Sequence, residues 1–362
     1  MINENESNKT KDEKQLNHKK KLFIPNNSLK IKCIFREIRT LSTIYQKSEY
    51  LIQLKDLQLI KEDNKLFVDF TFWDEGINLY SLINSNIFDY RKQKLLIKWI
   101  LFQILKGIET LHSLNIIHRD LNPYHILIST KGEIKITGFG NSINDIESKF
   151  VEDKIIGDLS HIAPECLVGL NYNNKIDIWA IGVLMVELYK KECPFFISKE
   201  DDEQKSYHQR FFNQLQLISN YLGVPFNYKY IQNKNLKDEL SFWLSNTKLD
   251  PGIFNQKFSN IPDLDDSALE LLRGLLAIDP KKRITCKEAL KMDYFKEFKV
   301  FNKEEYKKKK QKNDNYSIFL KNLEKEFQKY DQLPSDKKTE IFKNEINHIC
   351  QENIIKNTIN YK

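Results

Sequence analysis

One segment of the chain, residues 117–128, concentrates the side chains that could carry chemistry; it reads Ile-His-Arg-Asp-Leu-Asn-Pro-Tyr-His-Ile-Leu-Ile. Asp120 supplies a carboxylate that could accept a proton, and Arg119 beside it supplies a fixed positive charge. Taken alone, His118, Arg119 and Asp120 would more often form a cluster of surface charges than a catalytic site. The choice between the two therefore depends on the rest of the chain.

Four further segments follow this one in a fixed order. They are Lys135-Ile-Thr-Gly-Phe-Gly140, Ala163-Pro164-Glu165, Asp177-Ile-Trp179-Ala-Ile-Gly182 and Asp279-Pro-Lys-Lys-Arg-Ile284. The ordered set resembles the eukaryotic protein kinase family, in which residues 117–128 would be the catalytic loop and residues 135–140 the segment with Asp-Phe-Gly. Five motifs in this order make a chance match implausible. Residues 214–225 are similar to a segment typical of cyclin-dependent and mitogen-activated kinases.

The resemblance implies an α+β fold of two lobes, with a truncated, β-containing N-lobe and a mainly α-helical C-lobe. Composition and pattern divide the chain accordingly. The expected parts are a disordered polar leader over residues 1–21, an N-lobe over 22–73, a C-lobe over 74–297 and a charged helical tail over 298–362.

Hydrophobic periodicity locates the elements that would position the candidate residues. Apolar residues at 34, 35, 38 and 41 predict a helix, which the resemblance identifies as the αC helix carrying Glu37. Residues 57–60 and 66–72 predict two strands, the second of which would lead into the hinge that holds adenine. Residues 91–113 and 177–188 predict long apolar helices.

The resemblance assigns the chemistry of phosphoryl transfer, and this chain departs from it at the metal ligands. In an active kinase Asp120 would accept the proton of the substrate hydroxyl, while an Asn and an Asp would hold the magnesium ions that bridge the phosphates of ATP. Those two positions are His125 and Gly138. Magnesium demands oxygen ligands, imidazole suits zinc or copper better, and glycine has no side chain. We therefore expect no magnesium, and weak ATP binding or none.

His125 could instead bind a metal of another kind. A hydrogen-bonded histidine beneath the cleft is the favoured interpretation, because no Cys or carboxylate lies beside His125 at ligand spacing.

Two more replacements change the charge around Asp120. Asn122 occupies the position of a lysine that contacts the transferring phosphate, and Asp158 occupies that of a threonine near Asp120. The site thus loses a cation and gains an anion, which predicts repulsion of both the triphosphate and Asp120. In addition, no glycine precedes Gly76, so the glycine-rich loop that clamps the triphosphate is absent from the sequence.

Candidates for contact with a nucleotide remain. Lys20 lies at about the right distance before Glu37 to be its lysine partner, but residues 15–21 lack the apolar alternation of a buried strand. A solvated basic tail is the favoured interpretation, and pairing of Lys20 with Glu37 is the alternative. The resemblance also indicates the hinge residues Phe70, Thr71 and Trp73, and Leu127 beneath adenine. Any binding at this hinge is expected to be weak and independent of metal.

Residues with architectural roles in the family are retained. Glu165 and Arg283 are expected to form an ion pair that fastens the activation segment to the C-lobe. Asp177 is expected to bind the backbone around His118 and Arg119. The hydrophobic spine that links the lobes is matched by Leu41, Leu54, His118 and Phe139.

Charge and cysteine content limit the partners and the compartment. The 57 Lys+Arg and 50 Asp+Glu residues give a formal charge of +7, too small to indicate nucleic-acid binding. The five cysteines have no Cys-x-x-Cys spacing, so a reducing compartment is expected. No signal peptide or membrane span is evident, and the expected location is intracellular, cytoplasmic or nuclear.

The leading hypothesis is a pseudokinase that binds protein partners through its C-lobe or tail. The alternative is a divergent, active Ser/Thr kinase that uses Asp120 as its base and recruits metal through unusual ligands. A chain that lacks upstream strands would explain the missing glycine loop, but it would leave Gly138 and His125 unexplained.

Overall fold

A computed structural model describes most of the region between the leader and the tail. The described residues are 17–23, 28–62, 65–73, 76–85, 94–129, 132–144, 157–196, 206–224, 231, 233–259, 261 and 264–298. Residues 1–16 and 299–362 lie outside the described residues. The expectations for the first part of the leader and for nearly all of the tail fall on these two ranges. Within the described ranges, no helix has the length and apolar character needed to cross a membrane.

The N-terminal part is a three-stranded antiparallel sheet packed on one helix. The strands are β1 (Asn17–Phe23), β2 (Leu54–Glu62) and β3 (Lys65–Trp73), in the order β1-β3-β2, and the helix is α1 (Ser28–Ile44). Val68, Phe70 and Phe72 alternate along β3 and are buried, as expected for the covered face of a strand. The predicted helix and the two predicted strands are confirmed.

β1 contradicts the prediction of disorder for the last residues of the leader. All seven residues of β1 pair with β3, from Asn17 opposite Trp73 to Phe23 opposite Phe67. Because β1 lies at the edge of the described sheet, only one of its sides needs a backbone partner, and lysines are common on such strands. The missing apolar alternation therefore did not exclude a strand. The remaining domain limits stay a prediction.

The C-terminal part is mainly helical. Its helices are α2 (Leu79–Ile83), α3 (Lys94–Ser113), α4 (Pro164–Leu167), α5 (Lys175–Lys190), α6 (Tyr207–Leu222), α7 (Lys234–Asn246), α8 (Ile253–Ser259), α9 (Asp266–Leu275) and α10 (Cys286–Ala289). Its short strands are β4 (Ile77–Asn78), β5 (Ile116–Ile117), β6 (Ile126–Ile128), β7 (Ile134–Ile136) and β8 (Ile143–Asn144). β6 pairs with both β4 and β7, and β5 pairs with β8. Nearly every residue of α5 is buried, so this helix forms the centre of the lobe.

A buried ion pair fastens this lobe to the segment that precedes α5. Arg283 donates from Nη1 to Oε1 of Glu165 at 2.7 Å and from Nη2 to Oε2 at 3.0 Å. Both side chains are almost fully buried, and Arg283 also donates to the carbonyls of Ala277 and Lys175. The predicted ion pair is confirmed, and its bidentate geometry satisfies a guanidinium that has no access to water.

We expect Arg283→Met to lower the free energy of unfolding by about 3–5 kcal/mol, because it leaves the Glu165 carboxylate buried without its cation. Lys94→Met is the matched control, because it removes the lysine of an exposed ion pair with Asp265, 2.8 Å long. Its expected cost is about 1 kcal/mol or less. Urea denaturation of the two variants measures both values, and equal costs would show that the buried pair has no special role.

Candidate functional site

A buried carboxylate on α5 fixes the backbone of the segment that contains Asp120. Asp177 accepts hydrogen bonds from the backbone N–H of His118 at 2.9 Å and of Arg119 at 3.0 Å. Burial raises the pKa of Asp177, but the contacts with His112 and His118 outweigh it, so the pKa lies below its ordinary value. The predicted role of Asp177 is confirmed. Arg119 is held with a φ of 68°, in the left-handed region.

Three side chains surround the carboxylate of Asp120. Asn122 donates from Nδ2 to Oδ1 at 2.9 Å, Asn141 donates from Nδ2 to Oδ2 at 3.0 Å, and Nε2 of His125 lies 3.2 Å from Oδ2. Burial raises the pKa of Asp120, but His125, His118 and the bond from Asn141 lower it below its ordinary value. Asp120 is therefore ionised at neutral pH, and most of its lone pairs are already engaged.

His125 and Gly138, the two positions that would hold magnesium, are sterically coupled. Gly138 has a φ of 81°, and a Cβ placed on it would lie 2.4 Å from both Cγ and Nδ1 of His125. The imidazole thus occupies the space that a side chain at position 138 would need. An aspartate cannot enter there unless the ring moves and gives up its contact with Asp120. The two replacements therefore act as one structural change.

These residues do not fit a magnesium ion. Position 138 offers no ligand atom, and position 125 offers a nitrogen that faces Asp120. The amide oxygen of Asn122 accepts from the backbone N–H of Tyr124 at 2.9 Å, so it is engaged too. No carboxylate lies beside His125 at ligand spacing in the sequence, but the 3-10 turn Pro123–His125 folds the ring back onto the carboxylate of Asp120. That contact agrees with the favoured interpretation of His125 as a hydrogen-bonded side chain.

The negative charge of Asp158 is partly compensated by a histidine that sequence reasoning missed. Oδ2 of Asp158 lies 3.0 Å from Nδ1 of His161, and Nε2 of His161 lies 3.1 Å from Oε2 of Glu187. Burial lowers the pKa of His161, but the two carboxylates outweigh it and raise the pKa to about 10. His161 is thus a cation at neutral pH. The predicted repulsion between Asp158 and Asp120 is present: burial and Asp120 both act to raise the pKa of Asp158, but His161 and the backbone N–H of Ser160 outweigh them and hold that pKa below its ordinary value.

Lys20 and Glu37 form the ion pair that was the less favoured alternative. Nζ of Lys20 lies 2.8 Å and 3.0 Å from the two carboxylate oxygens of Glu37, whose side chain is 5% exposed. α1 also contacts the segment after Phe139, because Oγ1 of Thr40 and Oγ of Ser142 are 2.6 Å apart. The interpretation of Lys20 as part of a solvated tail is therefore wrong, and α1 is packed against the candidate site.

The candidate nucleotide-binding residues have different surroundings. Phe70 is fully buried and stacks on Phe72, with ring centres 6.1 Å apart, so it is a core residue. Thr71 on β3 and Leu127 on β6 are half-buried. Trp73 ends β3, and its side chain lies outside the described residues. Their roles toward a nucleotide stay a prediction.

The residues matched to the spine join one core. Leu41 and Phe139 are buried in it, and Leu54 is packed against it at partial exposure. The ring of His118 is buried, and its centre lies 5.4 Å from that of Phe139.

The fold agrees with comparisons to known proteins. The family model described as "Protein kinase domain" matches residues 5–295, and the chain belongs to the protein kinase family. It is similar to mitogen-activated protein kinase 5 of Arabidopsis thaliana, with 28% identity over 286 residues, covering 77% of this chain and 69% of that protein. It is also similar to mitogen-activated protein kinase HOG1 of Candida albicans, with 29% identity over 284 residues, covering 77% and 68% respectively.

A solved structure gives the same result. One chain of the crystal structure of the yeast RNA Pol II CTD kinase CTDK-1 complex is similar, with a TM-score of 0.58 and 27% identity, covering 78% of this chain and 86% of that one. The predicted family and the two-lobed α+β fold, with a small β-rich N-lobe and a helical C-lobe, are confirmed.

Gly138→Ala should lower the free energy of unfolding by about 1–3 kcal/mol, because the methyl group would overlap the ring of His125. Gly140→Ala is the matched control, since a Cβ there would meet only atoms at 3.7 Å or more. Its cost should be about 0.5 kcal/mol or less.

Gly138→Ala made in a His125→Ala background separates the steric overlap with the His125 ring from the backbone strain of the positive φ at position 138. In that background, Gly138→Ala should lower the free energy of unfolding by at least about 0.5 kcal/mol less than in the unchanged protein. A double-mutant cycle based on urea denaturation measures this difference. Full additivity of the two substitutions would contradict the steric coupling.

Proposed function

We propose that this chain is a catalytically inactive member of the protein kinase family that acts as a binding module. The observation that carries the proposal is the position of the His125 ring, which fills the side-chain space of residue 138 and contacts Asp120. With both metal-ligand positions lost together, no single substitution of either residue restores the site. We derive no catalytic step through magnesium.

The electrostatics of the site support the same conclusion. Catalysis of phosphoryl transfer is mostly positioning and charge stabilisation, and removing one preorganised contact commonly costs about a hundred- to a thousand-fold in rate. Asn122 stands at the position of the lysine that would contact the transferring phosphate, and its side-chain amide donates a hydrogen bond to Asp120. The lowered pKa of Asp120 also makes it a weaker base toward a substrate hydroxyl.

The alternative, an active Ser/Thr kinase of divergent type, has one observation in its favour. The ion pair between Lys20 and Glu37 is intact, and this pair must be in place in an active protein kinase. We interpret the pair as support for nucleotide binding rather than for transfer. The proposed binding is weak, does not use a metal, and has Lys20 as its contact with the phosphates.

The proposed partner is a protein that binds the C-lobe or the tail. The similar yeast kinase structure is described as a complex, which supports a protein partner. The C-lobe presents large apolar side chains to solvent, among them Phe242 on α7, which is 73% exposed, and Phe196. An intracellular location belongs to the proposal too, and the buried free thiols of Cys166 and Cys286 support a reducing compartment.

Lys20→Met should weaken ATP binding in the presence of EDTA by at least about tenfold, because one charge-assisted hydrogen bond to a phosphate is lost. Lys21→Met is the matched control, since neighbouring residues of a strand point to opposite faces and Nζ of Lys21 lies 4.7 Å from the centre of the Phe67 ring. The control should bind ATP like the unchanged protein. Isothermal titration calorimetry measures the affinities.

Two results would contradict the proposal. One is equal ATP affinity in Lys20→Met and the unchanged protein, which would remove Lys20 from the binding site. The other is phosphate transfer from ATP at ordinary kinase rates that Asp120→Ala abolishes, which would establish the alternative function.

A further inference from the structure

A second group of chemically active side chains lies next to the candidate site, and its His161 lines the same cavity as Asp120. His161, Glu187 and Cys193 each offer one potential metal-ligand atom, and these atoms all lie within 4.8 Å of one another. His161 belongs to the 3-10 turn Leu159–His161, Glu187 to α5, and Cys193 to the segment that follows α5. His161 is buried, while Glu187 and Cys193 are half-buried.

Asp158 provides an independent observation that points to a metal. Its carboxylate lies 3.0 Å from Nδ1 of His161, which leaves Nε2 facing Glu187, 3.1 Å away. A carboxylate on the distal ring nitrogen is the usual outer partner of a metal-binding histidine, because it fixes the tautomer and orients the ring. The four residues thus provide three ligands and the group that orients one of them.

We propose that His161 Nε2, the Glu187 carboxylate and the Cys193 thiolate bind a zinc ion. One nitrogen, one oxygen and one sulfur suit zinc, whereas magnesium and calcium prefer oxygen alone. Three protein ligands leave the fourth tetrahedral position to water or to a side chain of a bound partner.

The metal would connect the segment before the Ala163-Pro164-Glu165 motif to α5. A Cβ placed on Gly157, at the start of this described segment, would lie 3.0 Å from Oδ1 of Asp120, so the segment passes directly over the candidate site. Zinc at His161 would therefore fix the surface that faces a substrate or partner. This inference does not rest on the proposed loss of catalysis.

The test uses the full-length chain, treated with EDTA and dialysed, and zinc chloride as the probe. Calorimetry should show one zinc per chain with release of protons, obtained by comparing buffers of different ionisation enthalpy. Cys193→Ser and Glu187→Gln should each weaken zinc binding at least tenfold. Cys33→Ser is the matched control, since Cys33 is also half-buried but lies on α1, and it should bind zinc normally.

Cobalt(II) gives a second readout that does not depend on stability. The unchanged protein and Cys33→Ser should show a thiolate-to-cobalt charge-transfer band, and Cys193→Ser should lack it. Absence of stoichiometric zinc binding would overturn the proposal, and so would binding that Cys193→Ser and Glu187→Gln leave intact. If one variant does not fold, the other variant and the cobalt spectrum of the unchanged protein still test the proposed zinc site.

Discussion

The buried carboxylate of Asp177 holds the backbone of His118 and Arg119, and the geometry of the whole site depends on this contact. Asp177 lies near the start of α5, the helix at the centre of the C-lobe, and it is 1% exposed. Without it, two backbone N–H groups would be buried without partners, at a cost of about 1–3 kcal/mol each. The contact therefore stabilises the loop whether or not the loop performs catalysis. This explains how the framework of a kinase can persist while its metal ligands change.

Around Asp120, side chains of this chain supply the contacts of the carboxylate. The amides of Asn122 and Asn141 and the ring of His125 stabilise the carboxylate as an anion. Such a network is satisfied within the protein, so it gains nothing from a metal and would be broken by one. The intact pair of Lys20 and Glu37, together with the contact of Thr40 and Ser142, keeps α1 against this network. A network that is satisfied without a metal supports the proposal of a catalytically inactive binding module.

The sequence motifs were sufficient to predict the family, the fold and those contacts of charged residues that the resemblance to the family implies. The pair of Glu165 and Arg283 and the bond from Asp177 to the loop are of this type. The strand β1 was missed because an edge strand rich in lysine has no apolar alternation, and its stability comes from backbone pairing with β3. Motif spacing alone could not reveal such pairing.

Two other features depend on distances that only the folded chain establishes. His161 is 26 positions from Glu187, so its role between two carboxylates is invisible in the sequence, although its place three residues after Asp158 was a signal for one of them. The steric coupling of His125 and Gly138 depends on a glycine with positive φ beneath a ring. The sequence showed both replacements but not that one fills the space of the other.

The dependence of ATP affinity on magnesium tests the central claim most directly, because it reports on the metal site without requiring a known substrate. The account predicts that titration of the unchanged protein with ATP gives the same affinity in excess magnesium and in EDTA. It also predicts that the double variant His125→Asn with Gly138→Asp, which restores both oxygen ligands, binds ATP more tightly when magnesium is present. A clear increase in the affinity of the unchanged protein on adding magnesium would contradict the account.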